Sequence, residues 1–338
     1  MSTYLSKINI NLILVVTFII TTVLFAGCTT KTPEVSNDTS TNVVSDVEDN
    51  DVADDAMEID VADEEDVDAE EISITAEPGE SPFDFPTVAT TAEAGDYVLT
   101  PSRVWLDDAF AEGPDNVTFI FYSATMEEPG DVESKVSSVG TPFTMPNSMI
   151  IPLESGQTAE PGDVLLSWWQ SGSGMMRAYV VEGGTTESPM VRYLDLDLDN
   201  PATNDDGSPI AEREEQLEVN SFHILEGEYA PGSSVAVKNG SEYDHYQVVS
   251  EADGKLLVIG FAGRMNVVEK ADSVAMPIIP DVAVGDSVMV PLYGSYDPGT
   301  VTSIDDAVGR VFVEYEFAGQ TEEAGYAYGD VISSADLQ

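Results

Sequence analysis

Cysteine, histidine and basic side chains are all scarce in this chain of 338 residues. Cys28 is the only cysteine, which excludes an intrachain disulfide and a cysteine-based metal cluster. The 12 Lys and Arg residues stand against 63 Asp and Glu residues, giving a formal net charge of −51. Because binding to a phosphate backbone depends on basic side chains that release counterions, this charge excludes nucleic acid as a partner.

The sequence also lacks the motifs of the common catalytic sites. The two histidines, His223 and His245, lie in no recognisable motif. There is no G-x-S-x-G elbow, no H-E-x-x-H, no P-loop and no dinucleotide fingerprint, so we expect a non-catalytic protein without a cofactor. A carboxylate-based hydrolase stays open as an alternative, because paired carboxylates leave no spacing signature and acidic residues are abundant.

An apolar run extends from Ile8 to Phe25 and is long enough to span a membrane as a helix. It ends in Leu24-Phe25-Ala26-Gly27-Cys28, which resembles the lipobox of bacterial lipoprotein signal peptides. The resemblance implies a signal peptide over residues 1–27 and a lipidated Cys28. It also implies an exported protein held to a membrane, at the outer membrane or the cell surface. A plain transmembrane helix with an incidental cysteine is the alternative.

Residues 28–93 are strongly acidic, and Lys31 is the sole basic residue among them. No aromatic side chain occurs in this segment before Phe83. Such a segment cannot bury enough apolar area to offset its conformational entropy, and repulsion between like charges keeps it open. We therefore predict a disordered acidic tether between the membrane and the folded region.

The remaining residues are rich in valine, glycine and tyrosine, with turn signals at close intervals, which predicts an all-β region of short strands. Residues 310–317 alternate between apolar and polar side chains, the pattern of a half-buried antiparallel strand. Asp253-Gly254 predicts a hairpin turn, and Tyr296-Asp297-Pro298-Gly299 predicts a second turn in the last fifty residues.

Several stretches near the C-terminus resemble the Tudor family of small barrels related to the Src-homology-3 domain. The matching residues are Gly285-Asp286, Val288, Val290, Pro298-Gly299-Thr300-Val301 and Val311 to Phe317. An earlier stretch repeats this pattern. Tyr243-Asp244 begins eleven residues after Gly232, just as Tyr296-Asp297 begins eleven residues after Gly285. Phe261-Ala262-Gly263 likewise matches Phe317-Ala318-Gly319, which indicates an internal repeat.

The resemblance implies tandem small antiparallel β-barrels after the tether. We place a Tudor-like barrel with an acidic insertion at residues 160–226 and further Tudor-like barrels at residues 230–280 and 283–338. Residues 94–155 form a divergent β-domain whose Tudor-like character stays open.

Aromatic side chains are the candidate ligand-binding residues, because Tudor domains hold a methylated cation in an aromatic cage. The candidates are Trp168, Trp169, Tyr193, Tyr296 and Tyr315, with Tyr179, Tyr293, Phe317 and Tyr326 beside them in the same repeats. Packing in a small core is the alternative role. Outside the cell a peptide, protein or glycan suits these side chains better than a methylated tail. The predicted function is therefore binding or scaffolding at the cell envelope.

Asp195, Asp197, Asp199 and Asp206 occupy positions 1, 3, 5 and 12 of a segment, which is the ligand spacing of a Ca²⁺ loop. Asn200 stands where glycine normally makes the sharp turn, and Asp206 is shorter than the usual bidentate glutamate. An acidic hairpin is the alternative, so we assign no metal ligand. A Ca²⁺-dependent adhesive or glycan-binding protein remains an alternative function.

Overall fold

The computed structural model describes residues 77–196, 203 and 213–337. Strands make up 47% of the structure and helices 9%, which confirms a mostly β protein. The predicted signal peptide, Cys28 and residues 28–76 of the predicted tether lie outside the described residues. So do Asp197, Asp199 and Asp206 of the predicted Ca²⁺ loop.

The first β-unit contains five strands in the spatial order β4-β3-β2-β1-β5. Their bounds are β1 Tyr97–Thr100, β2 Tyr122–Glu128, β3 Glu133–Ser138, β4 Thr141–Pro146 and β5 Ile151–Pro152. A helix that the all-β prediction did not include, α1 (Arg103–Glu112), lies between β1 and β2. It buries Leu106 and Ala109, which are three residues apart and so share one helix face. Gly113, with φ of 93°, follows its end.

The second β-unit repeats this arrangement with the order β10-β6-β7-β8-β9. Its strands are β6 Val164–Trp168, β7 Met175–Glu182, β8 Met190–Tyr193, β9 Glu214–Gln216 and β10 His223–Ile224. In both units the short fifth strand returns to pair with the first strand in the antiparallel sense.

The third and fourth β-units share one sheet. The third contains β11 Ser234–Asn239, β12 Glu242–Ala252, β13 Lys255–Gly260, β14 Met265–Glu269 and β15 Ser273–Ala275. The fourth contains β16 Ser287–Leu292, β17 Ser295–Asp305, β18 Arg310–Phe317, β19 Gln320–Ala327 and β20 Ile332–Ser333. A bridge between Asp244 and Ser295 joins β12 to β17. Each unit again pairs its fifth strand with its first.

The second strand of every β-unit carries an irregularity in its pairing with the third strand. The shifts lie between Met126 and Glu128, Val180 and Glu182, Val248 and Ser250, and Val301 and Ser303. A bulge bends a strand and increases its twist, so each sheet curls around its buried side chains. None of the sheets closes into a barrel within the described residues.

Two hairpins show where the turn predictions hold and where they do not. Asp253-Gly254 joins β12 to β13 as predicted, with φ of 50° and 77°. The predicted turn at residues 296–299 lies instead inside β17. The chain reverses at Tyr293-Gly294, where φ is 52° and 95°, because a two-residue hairpin favours positive φ at both positions.

The end of the predicted tether packs onto the folded region. Phe83 is 8% exposed, and its ring centroid lies 5.7 Å from that of Phe119. Ala92 is buried as well, and Asp84 lies 3.0 Å from the Lys255 ammonium. The structure therefore differs from the prediction for residues 77–93, because Phe83 supplies the apolar area that the acidic residues before it lack.

A buried ion cluster connects three of the β-units. The Arg177 side chain of β7 is 3% exposed, and its Nη2 lies 2.5 Å from Asp195 Oδ1 and 2.7 Å from Asp330 Oδ2. The Nη1 atom donates to Ser234 Oγ of β11. Ser234 Oγ in turn donates to Asp330 Oδ1 at 2.8 Å, and His245 Nε2 lies 3.3 Å from the same oxygen. The cluster therefore fixes the fourth unit against the second and third.

The charged partners of Asp330 together affect its pKa more than burial does. Burial raises the pKa of Asp330, but the Arg177 charge and the His245 contact lower it further, so the pKa lies well below its usual range. Gly329, with φ of 88°, makes the approach possible, since a Cβ there would lie 2.8 Å from Arg177 Nη1.

We predict that Asp330→Asn lowers the free energy of unfolding by about 3–5 kcal/mol near neutral pH, because it leaves Arg177 buried without its full counter-charge. Because the pKa of Asp330 is lower in the folded than in the unfolded state, its ionised carboxylate stabilises the protein at pH values above the unfolded-state pKa of about 3.9. This stabilisation is lost as the pH falls below that value. The gap between wild type and variant should therefore narrow below about pH 4. Urea unfolding followed by circular dichroism at pH 7 and pH 3 measures both effects.

Asp336→Asn, at an exposed position of the same C-terminal segment, is the matched control and should change little. An equal loss in both variants, or a gap that does not change with pH, would contradict the role assigned to Asp330.

Candidate functional site

The predicted aromatic candidates of the second β-unit are mostly used in packing. Tyr193 is 1% exposed, and Trp169 packs against it with ring centroids 6.4 Å apart. The Tyr193 hydroxyl donates to Glu215 Oε1 at 2.5 Å, and its pKa is raised chiefly by burial. The Trp168 ring instead packs against the Tyr97 ring of the first unit, with ring centroids 5.1 Å apart. These side chains thus hold the second unit together and join it to the first.

Tyr179, named beside them, belongs to a different contact. Its ring packs edge-on against the Tyr328 ring, with ring centroids 5.8 Å apart. Its hydroxyl donates to the Asp306 carbonyl at 2.6 Å. It therefore joins the second unit to the fourth.

Tyr296 and Tyr315, the two remaining candidates, lie on opposite faces of the fourth unit. Tyr296 is 5% exposed and packs edge-on against His245, with centroids 5.6 Å apart. Tyr315 is only partly buried and packs against Tyr326, with centroids 6.2 Å apart. Of the five candidates, then, only Trp169 and Tyr193 are recorded in ring-to-ring contact, the Tyr193 hydroxyl also lies 3.0 Å from the Trp168 carbonyl oxygen, and Tyr315 belongs to a separate surface cluster.

That cluster, here called the aromatic patch, consists of Phe261, Tyr293, Tyr315, Phe317 and Tyr326. Phe261 is 65% exposed and Tyr293 is 64% exposed. The Tyr293 and Phe317 rings lie 5.6 Å apart. Tyr293, Phe317 and Tyr326 were named beside Tyr315 from the sequence, whereas Phe261 was not. Its signal was the matched Phe-Ala-Gly of residues 261–263 and 317–319.

The alternation of β18 explains why the patch emerges at the surface. Val311, Val313, Tyr315 and Phe317 share one face of the strand, and the two valines are fully buried. Pairing between β17 and β18 ends at Gly299 and Tyr315. The next residue of β17 is Pro298. Counted from the two-residue turn between β16 and β17, its backbone nitrogen faces β18, but proline has no N–H that could donate a hydrogen bond to that strand. On the face of β18 that carries the two valines, the apolar stripe continues with Tyr315 and Phe317, which are only partly buried.

Contact between two β-units brings Phe261 to the patch. The amide of His245 in β12 donates to the Gly294 carbonyl at 2.8 Å, which seats the β16–β17 turn beside the third unit. Gly294 has φ of 95°, and a Cβ at this position would lie 2.9 Å from the Phe261 Cβ. Glycine is therefore needed both for the turn and for the close contact with Phe261.

The sequence around the patch is acidic. The segment from Ser295 to Ala327 contains one basic residue, Arg310, and this residue is only 4% exposed. Its acidic residues are Asp297, Asp305, Asp306, Glu314, Glu316, Glu322 and Glu323. Burial, with contributions from Tyr315 and Asp297, raises the pKa of Tyr326, so this hydroxyl is neutral at physiological pH. The patch thus combines aromatic rings with nearby carboxylates.

The second unit also contributes to a cavity, which shares no lining residue with the aromatic patch. Glu154, Gln157, His223 and Glu226 help to line a cavity of about 360 Å³. Burial lowers the pKa of His223, and the charges of Glu154 and Glu226 oppose this shift. The Gln157 amide donates to Glu154 Oε2 at 2.6 Å, and its oxygen accepts from the Ile224 amide. Most of the polar groups of this cavity are therefore already used within the protein.

The other predicted binding residues have defined neighbours or lie outside the described chain. Of the four aspartates that have the spacing of a Ca²⁺ loop only Asp195 is described, and both of its carboxylate oxygens accept hydrogen bonds from Arg177. Within the described ranges, no group of three or more His, Cys, Asp and Glu residues is placed to hold a metal ion. No helix in the described part of the chain has both the length and the apolar character needed to cross a membrane.

No family model matches the chain, and no curated protein matches it.

We predict that Gly294→Ala destabilises the protein by about 1–3 kcal/mol more than Gly285→Ala, the cost typical of overpacking. Both glycines have φ of 95°, so alanine is strained equally at the two positions. Only the Cβ at position 294 meets a neighbour, Phe261, since nothing lies within 4 Å of one at position 285. Thermal and urea unfolding of the two variants measure the difference, and equal losses would show that Phe261 does not pack there.

Proposed function

We propose that this protein is a lipid-anchored, non-catalytic binding protein of the cell envelope or cell surface. In this proposal Cys28 carries the lipid, the acidic segment after it is a tether, and tandem Tudor-like β-units bind a protein, peptide or glycan at the aromatic patch. The ligand-binding surface belongs to the last two units, and the first two position or extend it.

The exposure of the patch is the observation that carries this proposal. Phe261 and Tyr293 are both more than 60% exposed, although burying an aromatic side chain is among the most favourable contributions to a core. Exposed aromatic side chains that lie together are typical of interaction sites, where tyrosine and phenylalanine are enriched. Both lie on loops between strands of curled sheets, where rigid neighbours hold them in place.

The repeated strand order supports a Tudor-like architecture. Each unit has five antiparallel strands, a bulge in the second strand and a short fifth strand that returns to the first. The patch lies where the curled sheet of the fourth unit opens, beyond the buried Val311 and Val313. Asp330 and Asp195 are both paired with Arg177, so these two carboxylates are used within the ion cluster rather than free for acid–base chemistry.

We predict that Tyr293→Ser weakens binding to the preferred ligand by about tenfold or more, the usual effect of removing an aromatic contact from an interface. The ligand is identified by applying residues 77–338 to arrays of peptides and glycans, and its affinity is then measured by biolayer interferometry. Val139→Ser is the matched control, because Val139 is fully exposed in the first unit and outside the patch. Equal weakening in both variants, or no array ligand at all, would count against the patch as the binding site.

We predict that Cys28→Ala abolishes incorporation of labelled palmitate in cells that make the full chain, because the thiol is the lipid acceptor. Thr29→Ala, a change at the neighbouring position, should keep the label and is the control. Label that persists in Cys28→Ala would place the lipid at another residue, and label that is missing from the wild-type protein would favour the transmembrane alternative.

A further inference from the structure

The strand β19 forms an open edge of the largest sheet. Within the described residues it pairs with β18 over its whole length and with no other strand. Residues 320–323 are all exposed, so neither a helix nor a loop of the described chain covers this end of the edge. Unpaired N–H and C=O groups along such an edge can accept a further strand.

The hairpin geometry shows which backbone groups are unpaired. Ala318-Gly319, with φ of 52° and 79°, forms a two-residue turn, so Phe317 and Gln320 are a hydrogen-bonded pair. Alternate residues of β19 from Gln320 onward therefore bond to β18. Thr321, Glu323 and Gly325 instead point their N–H and C=O groups outward.

Arg310 reduces the accessible length of this edge at the end nearer Ala327. Its Nη1 atom donates to the Gly325 carbonyl at 3.4 Å, and Nη2 donates to the Leu194 carbonyl of the second unit. Ala327, the last residue of β19, is 2% exposed. The accessible edge is therefore the segment from Thr321 to Glu323, together with the Gly325 N–H, which suits an added strand of about five residues.

Charge selects which strand can join this edge. Glu322 projects on the same face as Tyr315, whereas Glu323 projects on the opposite face beside Glu314. Both faces at the edge are therefore acidic. Pairing with a second copy would place like charges together, a known way of preventing edges from associating. A strand bearing lysine or arginine would instead meet opposite charge on either face.

We propose that β19 binds an extended basic segment of another protein by strand addition. This inference rests on the proposed binding role of the aromatic patch, because Tyr315 and Tyr326 lie on the face that the added strand would extend. Backbone hydrogen bonds to Thr321 and Glu323 give the segment its orientation. Lysine or arginine side chains pair with Glu322 and Glu323 and lie beside the tyrosine rings.

A fluorescent ten-residue peptide of alternating lysine and threonine tests the proposal by fluorescence anisotropy with the chain from residue 77 to 338. We expect binding that weakens with added salt, and at least tenfold weaker binding of a matched peptide of alternating glutamate and threonine. Thr321→Pro should weaken binding of the lysine peptide by about tenfold, because it removes an outward N–H that β18 does not use. Thr321→Ala keeps that N–H and is the matched control.

Amide hydrogen exchange of the wild-type protein gives a readout that does not depend on any variant. Saturation with the lysine peptide should slow exchange of the Thr321 and Glu323 amides by about tenfold and leave the Glu322 amide, already bonded to β18, unchanged. Unchanged exchange at Thr321 and Glu323 would overturn strand addition, and so would equal binding of the glutamate peptide or no binding of either peptide.

Tyr293→Ser separates this inference from the proposed function. If that variant loses the peptide while Thr321→Pro keeps it, the aromatic patch binds and the edge does not. If the lysine peptide fails to bind but an array ligand binds and depends on Tyr293, the proposed function stands without the strand addition.

Discussion

The buried pairing of Arg177 with Asp195 and Asp330 is the constraint on which the arrangement of the β-units depends. A guanidinium that is 3% exposed is tolerated only where carboxylates and hydrogen-bond acceptors surround it. The partners come from the loop after β8 and the segment before β20, and Ser234 of β11 completes the cluster. A shift of one unit relative to another would leave the buried Arg177 charge without its full set of partners. The units are thus held in one register by electrostatics as much as by apolar contact.

The same strand order yields different surfaces because the units differ in where their apolar stripes end. In the second unit the Trp169 ring packs against the buried Tyr193, and the Trp168 ring packs against Tyr97. In the fourth unit the pairing of β17 with β18 ends at Gly299 and Tyr315, and the stripe beyond Val313 is only partly buried.

Local patterns in the sequence predict several of the strands and turns but not how the β-units assemble. The alternation of residues 310–317 and the turn at Asp253-Gly254 depend on neighbouring residues alone, and both predictions are confirmed. The turn predicted at Tyr296 lies within a strand, because Tyr293-Gly294 satisfies the hairpin better. Nothing local marks Arg177 and Asp330 as partners, since 153 residues separate them. Likewise, Phe261 reaches the patch only through the contact between β12 and β17.

The excess of acidic residues also bears on which strand could pair with β19. Along β19 it lies on both faces of an edge that would otherwise be open to another copy of the chain, and like charges oppose that contact. Carboxylates beside exposed rings also disfavour anionic ligands at the patch, since each would bring a second negative charge close to the first. In the proposed binding role, the carboxylates that oppose pairing with a second copy would also favour a neutral or cationic partner. Both effects have the same physical origin, the sign of the charge around the rings.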